Sequence, residues 1–503
     1  MENEDLPSLL QQSQRMLQAE LVEPGADAML RPLAELVSSP PVTCLPDAPV
    51  RLALEAMHRK GVGSVVVTDA QGLPVGIFTR HDVLDRLALA GVSLDAPVNK
   101  VMSVNLATLP PQATAYDAVL LMVQRSIRHV PVVENGKLAG IISEHDLFKH
   151  DLFNLRRVSY QGLAKAIRKA DNLDALIRLS QGIRQSGLNL LAQGMGAEQL
   201  TRLIASYNDL LAARVIEMEF ATVDLEGLRF CWIALGSEGR SEQTFSTDQD
   251  NGIIFVQPEN MSLAAAKKKL LPVAKRINQA LDQCGFPLCK GGIMAGNLMW
   301  CLSLREWEEK FLGWVNNSNP EALMHATIFF DFRAIYGAAD LVTALRRWLI
   351  QHVSGNERFF HQMAVNALRN KPPLGLFKDF SVESESGQAD TIDLKTHGAT
   401  LFADAARIYS LVSDVDETNT LRRLRLAAPH CNLPAEEVES WAGAFLFLQL
   451  LRLRHQQVDS AAGRQSDNRI NPYRLNELDR RILKQALLQA RKLQARLALD
   501  YQV

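Results

Sequence analysis

Residues 228–256 read LRFCWIALGSEGRSEQTFSTDQDNGIIFV, and two carboxylates within them, Asp248 and Asp250, are the groups best suited to chemistry. An apolar strand, Phe230–Leu235, runs into Gly236-Ser237. A mostly polar stretch, Glu238–Thr247, then leads to Asp248-Gln249-Asp250 and a second apolar strand, Gly252–Val256. Strand side chains alternate between faces, so the spacing predicts that Asp248 and Asp250 point the same way. Two carboxylates side by side repel unless a cation lies between them. Mg2+ (or Mn2+) suits such a pair, because it takes one or two carboxylates and completes its shell with water and phosphate oxygens. The Gly236-Ser237 turn offers backbone N–H groups, a hydroxyl and room for a triphosphate. Arg240 offers a guanidinium able to make a bidentate phosphate contact. Gln243, Asn251 and Lys290 are further candidates for base, ribose or phosphate contacts, against which stands a plain turn-stabilising or surface role.

Strand, Gly-Ser, spacer, Asp-x-Asp, strand resembles the nucleotidyltransferase superfamily. More narrowly, it is similar to the uridylyltransferases and adenylyltransferases that modify the PII protein and glutamine synthetase; the matching residues are Gly236, Ser237, Glu242, Thr247, Asp248 and Asp250. The run GSEGRSEQTFSTDQDN also resembles a nucleotidyltransferase family of unknown function that is commonly joined to CBS pairs, and IDLKTHGATLFADAARIYSL resembles that family's C-terminal half. The resemblance implies nucleotidyl transfer from Mg-NTP to an acceptor, a protein by analogy, in signal transduction. It also implies a third carboxylate on a later strand, to bind metal or activate the attacking hydroxyl. That strand is expected in PLCKGGIMAGNLMWCLSLREWEEKF, which has no acid between Cys289 and Leu304. Asn297 stands near the expected position, while Glu306 and Asp331 are distant in sequence. Phe330-Asp331-Phe332-Arg333 reads as structural, its charges satisfying helix ends or inter-domain polar groups.

Ahead of this region the chain carries a repeat. PVTCLPDAPVRLALEAMHRKGVGSVVVTDAQGLPVGIFTRHDVL aligns with NLATLPPQATAYDAVLLMVQRSIRHVPVVENGKLAGIISEHDLF. Each copy predicts a short strand, an amphipathic helix (Leu54, Met57; Val119, Met122) and two β-branched strands across a turn. The repeat resembles the CBS domain, whose copies pair around clefts for adenosyl ligands; AMP, ADP or ATP is the implied ligand here. Gly76 and Gly140 would let backbone approach it, and Thr79 and Ser143 place hydroxyls at helix starts that favour phosphate. Asp82 and Asp146 take the family's role of accepting the ribose hydroxyls. The plain alternative makes Thr79 and Ser143 simple N-caps. His81 and His145 fit a helix-surface role better than metal ligation.

The predicted fold class is a multidomain α/β protein: a CBS pair of β-α-β-β-α repeats, a helical linker, a mixed α/β nucleotidyltransferase-like domain and a C-terminal helical domain. The expected boundaries are 1–31 for an N-terminal helical segment, 32–150 for the CBS pair and 151–226 for a helical linker or N-terminal part of the transferase-like domain. The transferase-like core follows at 227–318 and the helical domain at 319–503. Within the last, 372–398 reads as a hairpin or loop and 461–471 as a flexible connection. The chain has 503 residues, 47% hydrophobic and 22% charged, with a formal charge of −2, so nothing in the totals asks for nucleic acid. Six cysteines without CxxC spacing argue against a disulfide framework or a zinc site. No basic-then-apolar leader and no membrane-length apolar run are seen, AGAFLFLQLL reading as a core helix, so a cytoplasmic location is expected. A homodimer through the CBS pair is expected by analogy alone. A regulated transferase and a non-catalytic adenylate sensor on a transferase scaffold both remain open; a transport-associated regulator is weakened by the missing span.

Overall fold

The structure is a computed structural model and describes residues 31–37, 40–125, 127–149, 160–317, 319–375, 379–385, 388–464 and 467–503. The N-terminal helical segment expected over 1–31 lies outside them except for Arg31. Two compact units emerge, Glu23–Ala166 and, over the described residues, Ile167–Val503.

In the first unit, β1 (Thr43–Cys44) lies parallel to β2 (Ser64–Thr68), which pairs antiparallel with β3 (Pro74–Thr79), Val66 opposite Ile77. The helix Val50–Lys60 between β1 and β2 buries Val50, Ala53 and Met57 on one face and stops at Gly61 in the left-handed region. The second copy repeats this with the helix Ala115–Arg125, then β4 (His129–Glu134) and β5 (Lys137–Ser143), Val130 opposite Ile142. Its strands turn at Asn135-Gly136, both at positive φ, as a tight hairpin between right-twisted strands requires. The copies interlock through the segment that precedes each. Leu33 N–H donates to Ala113 carbonyl at 2.7 Å, and Val98 N–H donates to Ala48 carbonyl at 2.9 Å. Those lead segments also cover the partner copy's strand: a Cβ on Gly140 would stand 2.5 Å from Val37, and one on Gly76 would stand 2.3 Å from Met102 Sδ.

In the second unit, β6 (Arg229–Ala234), β7 (Asn251–Val256), β8 (Cys301–Ser303) and β9 (Arg333–Gly337) form one sheet in the order β8-β7-β6-β9. Only β7 and β8 run parallel; Trp232 of β6 faces Ile253 on one side and Tyr336 on the other. The sheet is covered on both faces, which explains why β6 and β7 are near-continuous apolar runs. Cys231 and Ile233 join a core with Trp307, Phe311 and Leu345. Phe230, on the alternate face, meets Phe220 of the helix Ala197–Phe220 with ring centroids 4.3 Å apart. β9 completes the sheet from beyond residue 318.

The C-terminal helices Thr400–Val412, Ala435–Ala461 and Glu477–Asp500 pack on one another around Phe402, Tyr409, Trp441, Leu448 and Leu487, all buried. Each such side chain removed from water contributes about 1.5–3 kcal/mol. AGAFLFLQLL lies within Ala435–Ala461. β10 (Glu383–Glu385) and β11 (Gln388–Asp393) form the expected hairpin. β11 pairs on its other side with β12 (Arg469–Ile470), so these two residues of 461–471 are held in a sheet.

Candidate functional site

Asp248 and Asp250 lie just before β7 in an irregular segment instead of on the strand. They still converge. One carboxylate oxygen from each, together with Cys289 Sγ, lies within 4.8 Å of the others. Asp248 is exposed; Asp250 and Cys289 are half-buried. Leu235 N–H donates to Asp250 carbonyl at 2.9 Å, bringing the end of β6 against the acid. Gly236, at φ +54°, sits so close that an added Cβ would lie 3.3 Å from Asp250 Oδ2. Gly236 therefore leaves the carboxylate its space at a backbone conformation that other residues rarely adopt.

The loop that brings Cys289 to the acids is clamped on both sides. Gln249 N–H donates to Pro287 carbonyl at 3.0 Å, and Asn251 N–H donates to Ile293 carbonyl at 3.2 Å. The buried amides Gln249, Asn251 and Asn278 close the frame: Gln249 Nε2 donates to Phe286 carbonyl, Asn251 Oδ1 accepts from Ala295 N–H at 2.8 Å, and Asn278 Oδ1 accepts from Gly296 N–H at 2.9 Å. The Cys289 Sγ thus stands beside the Asp250 carboxylate.

Electrostatics mark the same place. Burial, followed by the neighbouring charge of Asp248, pushes the Asp250 carboxyl up to about 6. Cys289, Lys395 and Arg240 pull it down. Glu238 is pushed up to about 8, mainly by burial and then by Asp209, with Asp250 adding to the effect. Burial pushes the Cys289 thiol up. Lys395 reaches this field from the C-terminal domain on an exposed position of the turn Lys395–Ala399, which Asp393 Oδ1 caps by accepting from Lys395 and Thr396 N–H. Two oxygen donors and a sulfur so placed fit a divalent cation: metal–ligand bonds of about 2.0–2.3 Å span such separations, and both donor types bind borderline divalent ions.

The loop between Gly236 and Asp248 is built largely by residues far along the chain. Arg240 pairs with Glu242 at 2.8 Å and with Asp331 at 2.7 Å. Its guanidinium, expected at a triphosphate, is thus engaged in a structural network. Asp331, fully buried, also binds Arg407 and Arg423 at 2.7 and 2.5 Å. These guanidiniums hold its carboxyl well below the usual range despite burial. Glu242 accepts from Thr420 N–H at 2.7 Å, Thr418 Oγ1 donates to Gly239 carbonyl at 2.8 Å, and Gln456 Oε1 accepts from Phe245 N–H at 2.9 Å. Gly239 is pressed so tightly that a Cβ there would lie 1.7 Å from Asp331 carbonyl.

The other candidates separate clearly. Gln243 is buried and accepts from Asn208 Nδ2 at 3.0 Å, and Asn251 belongs to the amide frame, so both serve the scaffold. Asn297 ties its own turn through Gly292 carbonyl. Glu306 caps the helix Leu304–Asn316 with Ser303 and pairs with Lys267 at 2.6 Å. Arg333 is held by Asp209 at 2.8 Å. Thr247 keeps its hydroxyl on the loop backbone at Asp248 carbonyl. Ser237 is half-buried beside Gly236, and Lys290 is exposed next to Cys289. Cys289 is the residue that sequence reasoning missed, because a lone cysteine in mixed text reads as a small hydrophobe. Its signal was its place, between the helix Leu263–Gln283 and β8, where an acid was sought and none occurs.

In the first unit, Thr79 and Ser143 cap their helices within reciprocal capping boxes. Asp82 Oδ2 accepts from Thr79 N–H at 2.8 Å and Oγ1 at 2.7 Å, and Asp146 Oδ2 does the same with Ser143 at 2.9 and 2.5 Å. Asp82 Oδ1 also accepts from Ser103 Oγ at 3.1 Å and faces Arg86 at 3.4 Å. Gly76 and Gly140 lie beneath Met102 and Val37, so their lack of Cβ serves packing between the copies. His81 is on the helix surface beside Asp85, 3.2 Å away; the His145 side chain lies outside the described residues. Among the described residues no helix is long and apolar enough to cross a membrane.

Comparison with known proteins agrees with this division. The CBS domain model matches residues 33–89 and 98–152. The model described as "Putative nucleotidyltransferase DUF294" matches 181–321, and "Putative nucleotidyltransferase substrate binding domain" matches 357–501. The CBS domain-containing protein YhcV of Bacillus subtilis is 31% identical over 127 residues, which are 24% of this chain and 90% of YhcV. Arabinose 5-phosphate isomerase GutQ of Escherichia coli is 42% identical over 103 residues, 20% of this chain; the chain spans only 32% of that enzyme's length. A solved CBS domain protein from Pyrobaculum aerophilum, complexed with AMP, is 29% identical, with 23% of this chain and 90% of that chain covered and a TM-score of 0.22. The chain belongs to the CBS domain-containing proteins, its CBS pair followed by regions that match the DUF294 model and that family's C-terminal model.

Proposed function

We propose that this protein is a regulated nucleotidyltransferase: an adenine nucleotide (AMP, ADP or ATP) at the CBS pair sets the rate at which a nucleotidyl group passes from an NTP to an acceptor hydroxyl, that of a protein. The observation carrying the proposal is the convergence of Asp248 and Asp250 beside Gly236 in a domain matched by a nucleotidyltransferase family model. In the transfer, the acceptor oxygen bonds to the α-phosphorus, the α–β phosphoanhydride bond breaks, pyrophosphate leaves and the hydroxyl proton passes to water. A divalent cation, Mg2+ or Mn2+, held by Asp248 and Asp250 supplies the positive charge that the phosphates need. Gly236 and Ser237 leave the triphosphate room along the turn, and the exposed Lys395 and Lys290 offer it further cations. Arg240 acts one step back, holding the loop through Asp331 and Glu242. The match over 357–501 supports a reading in which the acceptor docks on the face around Lys395.

Regulation requires the adenine nucleotide to bind two arrangements of the protein with different affinity. At the CBS pair, Gly76, Thr79 and Asp82 of one copy and Gly140, Ser143 and Asp146 of the other are the proposed contacts. A ligand at the first cleft competes with Ser103 and Arg86 for Asp82. Among the described residues no third carboxylate joins Asp248 and Asp250 in their cluster, which favours a second reading: a sensor whose transferase domain binds nucleotide without turnover.

Metal-dependent binding of each NTP to the wild type, Asp248→Asn/Asp250→Asn and Asp82→Ala/Asp146→Ala separates the two. The transferase reading expects metal-dependent binding lost only in the Asp248/Asp250 variant, with pyrophosphate release once an acceptor is supplied. Binding that depends only on Asp82 and Asp146 establishes the sensor and removes the transferase.

A further inference from the structure

The donor set beside β7 is not that of an ordinary Mg2+ site. Two carboxylate oxygens and one sulfur share a space within 4.8 Å. The sulfur arrives there on a backbone fixed at Pro287 and Ile293 by the segment that carries the acids. Three buried amides, Gln249, Asn251 and Asn278, immobilise the same loop on either side of Cys289. Such a frame holds a donor in place before any ligand arrives, which is what low-cost metal binding requires. The thiol also differs from the buried cysteines Cys231, Cys284 and Cys301, because it is half-buried with its Sγ within 4.8 Å of two carboxylate oxygens.

We propose that Cys289 is the third ligand of the cation bound by Asp248 and Asp250, and that its sulfur makes the site select thiophilic Zn2+ and its analogue Cd2+, and accept Mn2+, ahead of Mg2+. The inference rests on Asp248 and Asp250 being a metal site, and it adds the donor that decides which metal. Mg2+ is a hard ion that binds oxygen and keeps much of its water, and a thiolate gives it little. Zn2+ and Cd2+ gain from sulfur, and Mn2+ tolerates it. The cysteine thus occupies the place where an acid was expected, with softer chemistry.

The test uses the full-length protein and Cd2+ as probe. Wild type should take up one tight Cd2+ with a thiolate-to-metal charge-transfer absorption. Cys289→Ser should lose that band and about 10-fold or more of Cd2+ affinity, since even outer-shell changes at metal sites cost 10–100-fold. Cys289→Asp should lack the band while gaining Mg2+ affinity, a reversal that a merely structural cysteine cannot produce. Mn2+ should slow alkylation of Cys289, followed by mass spectrometry, in wild type and not in Asp248→Asn/Asp250→Asn. Matching thermal melts show that the variants remain folded. Cd2+ affinity and absorption unchanged in Cys289→Ser would overturn the proposal and leave the carboxylate site standing. Cd2+ uptake and NTP binding both unchanged in Asp248→Asn/Asp250→Asn would overturn the carboxylate site itself, and Cys289 with it.

Discussion

Asp82 and Asp331 are both buried carboxylates, yet they are held in opposite ways. In the CBS unit, Asp82 closes a capping box with Thr79, three residues away, and Asp146 repeats it with Ser143. In the transferase unit, Asp331 binds Arg407, Arg240 and Arg423, which lie 76, 91 and 92 residues away. The first arrangement forms as soon as its helix forms. The second exists only when the sheet edge, the Gly-Ser loop and the C-terminal helices have assembled, so it works as a lock on the whole unit. A carboxylate of the first kind can be lost at the cost of one helix end, whereas one of the second kind leaves three clustered guanidiniums with only Glu242 and Asp404 against them.

That contrast can be broken by measurement. Asp331→Asn should cost the transferase unit about 3–5 kcal/mol, the range for breaking a buried ion pair, read as a fall in denaturant midpoint. A loss no greater than that of a helix cap would remove the lock. Gly239→Ala should fall in the same severe class, since its Cβ has 1.7 Å to Asp331 carbonyl and the obstacle is backbone; expression and melting temperature report it. Thr79→Ala and Ser143→Ala should each cost about 0.5–2 kcal/mol, the range for a lost N-cap, with hydrogen exchange rising only near the capped helices. Arg305→Ala sharpens the lower end: its pair with Glu309 is exposed on both sides and contributes about 0.2–1 kcal/mol, so the midpoint should hardly move.

Acid should separate the units as well. The Asp331 carboxyl is depressed in the folded state from an ordinary value near 3.8. Its contribution is therefore complete above that value and is lost as pH falls below it. Wild type should show an acid-induced loss of stability that Asp331→Asn lacks, followed as unfolding free energy at decreasing pH. An identical acid limb in both proteins would place the sensitivity elsewhere.

Much of the CBS unit was legible because its information is local and written twice. The β-branched runs Ser64–Val67 and His129–Val133, the turn glycines and the Thr79/Asp82 and Ser143/Asp146 spacings all lie within a few residues of their partners. What the repeat could not show was that Gly76 and Gly140 serve packing, because Met102 and Val37 come from the segment preceding the other copy. In the transferase unit the apolar strands around Asp248 and Asp250 were equally plain. The pairing of Arg240 with Asp331 was not legible because the two are 91 residues apart. RAIYG went unread for a related reason: it is a short β9 whose role appears only beside β6.

By itself, the sequence determined the two-copy repeat, the pair of carboxylates before β7 and the helical character of the C-terminal half, since each depends on side-chain periodicity or on spacings of two or three residues. Only the tertiary structure decided which group joins those carboxylates, because Cys289 reaches them through backbone hydrogen bonds from Gln249 and Asn251 to a loop some way downstream. It alone decided, too, that Arg240 belongs to Asp331. Hydrogen bonds and ion pairs act over about 3–4 Å in space whatever the distance along the chain, and a lone sequence records no trace of that closeness.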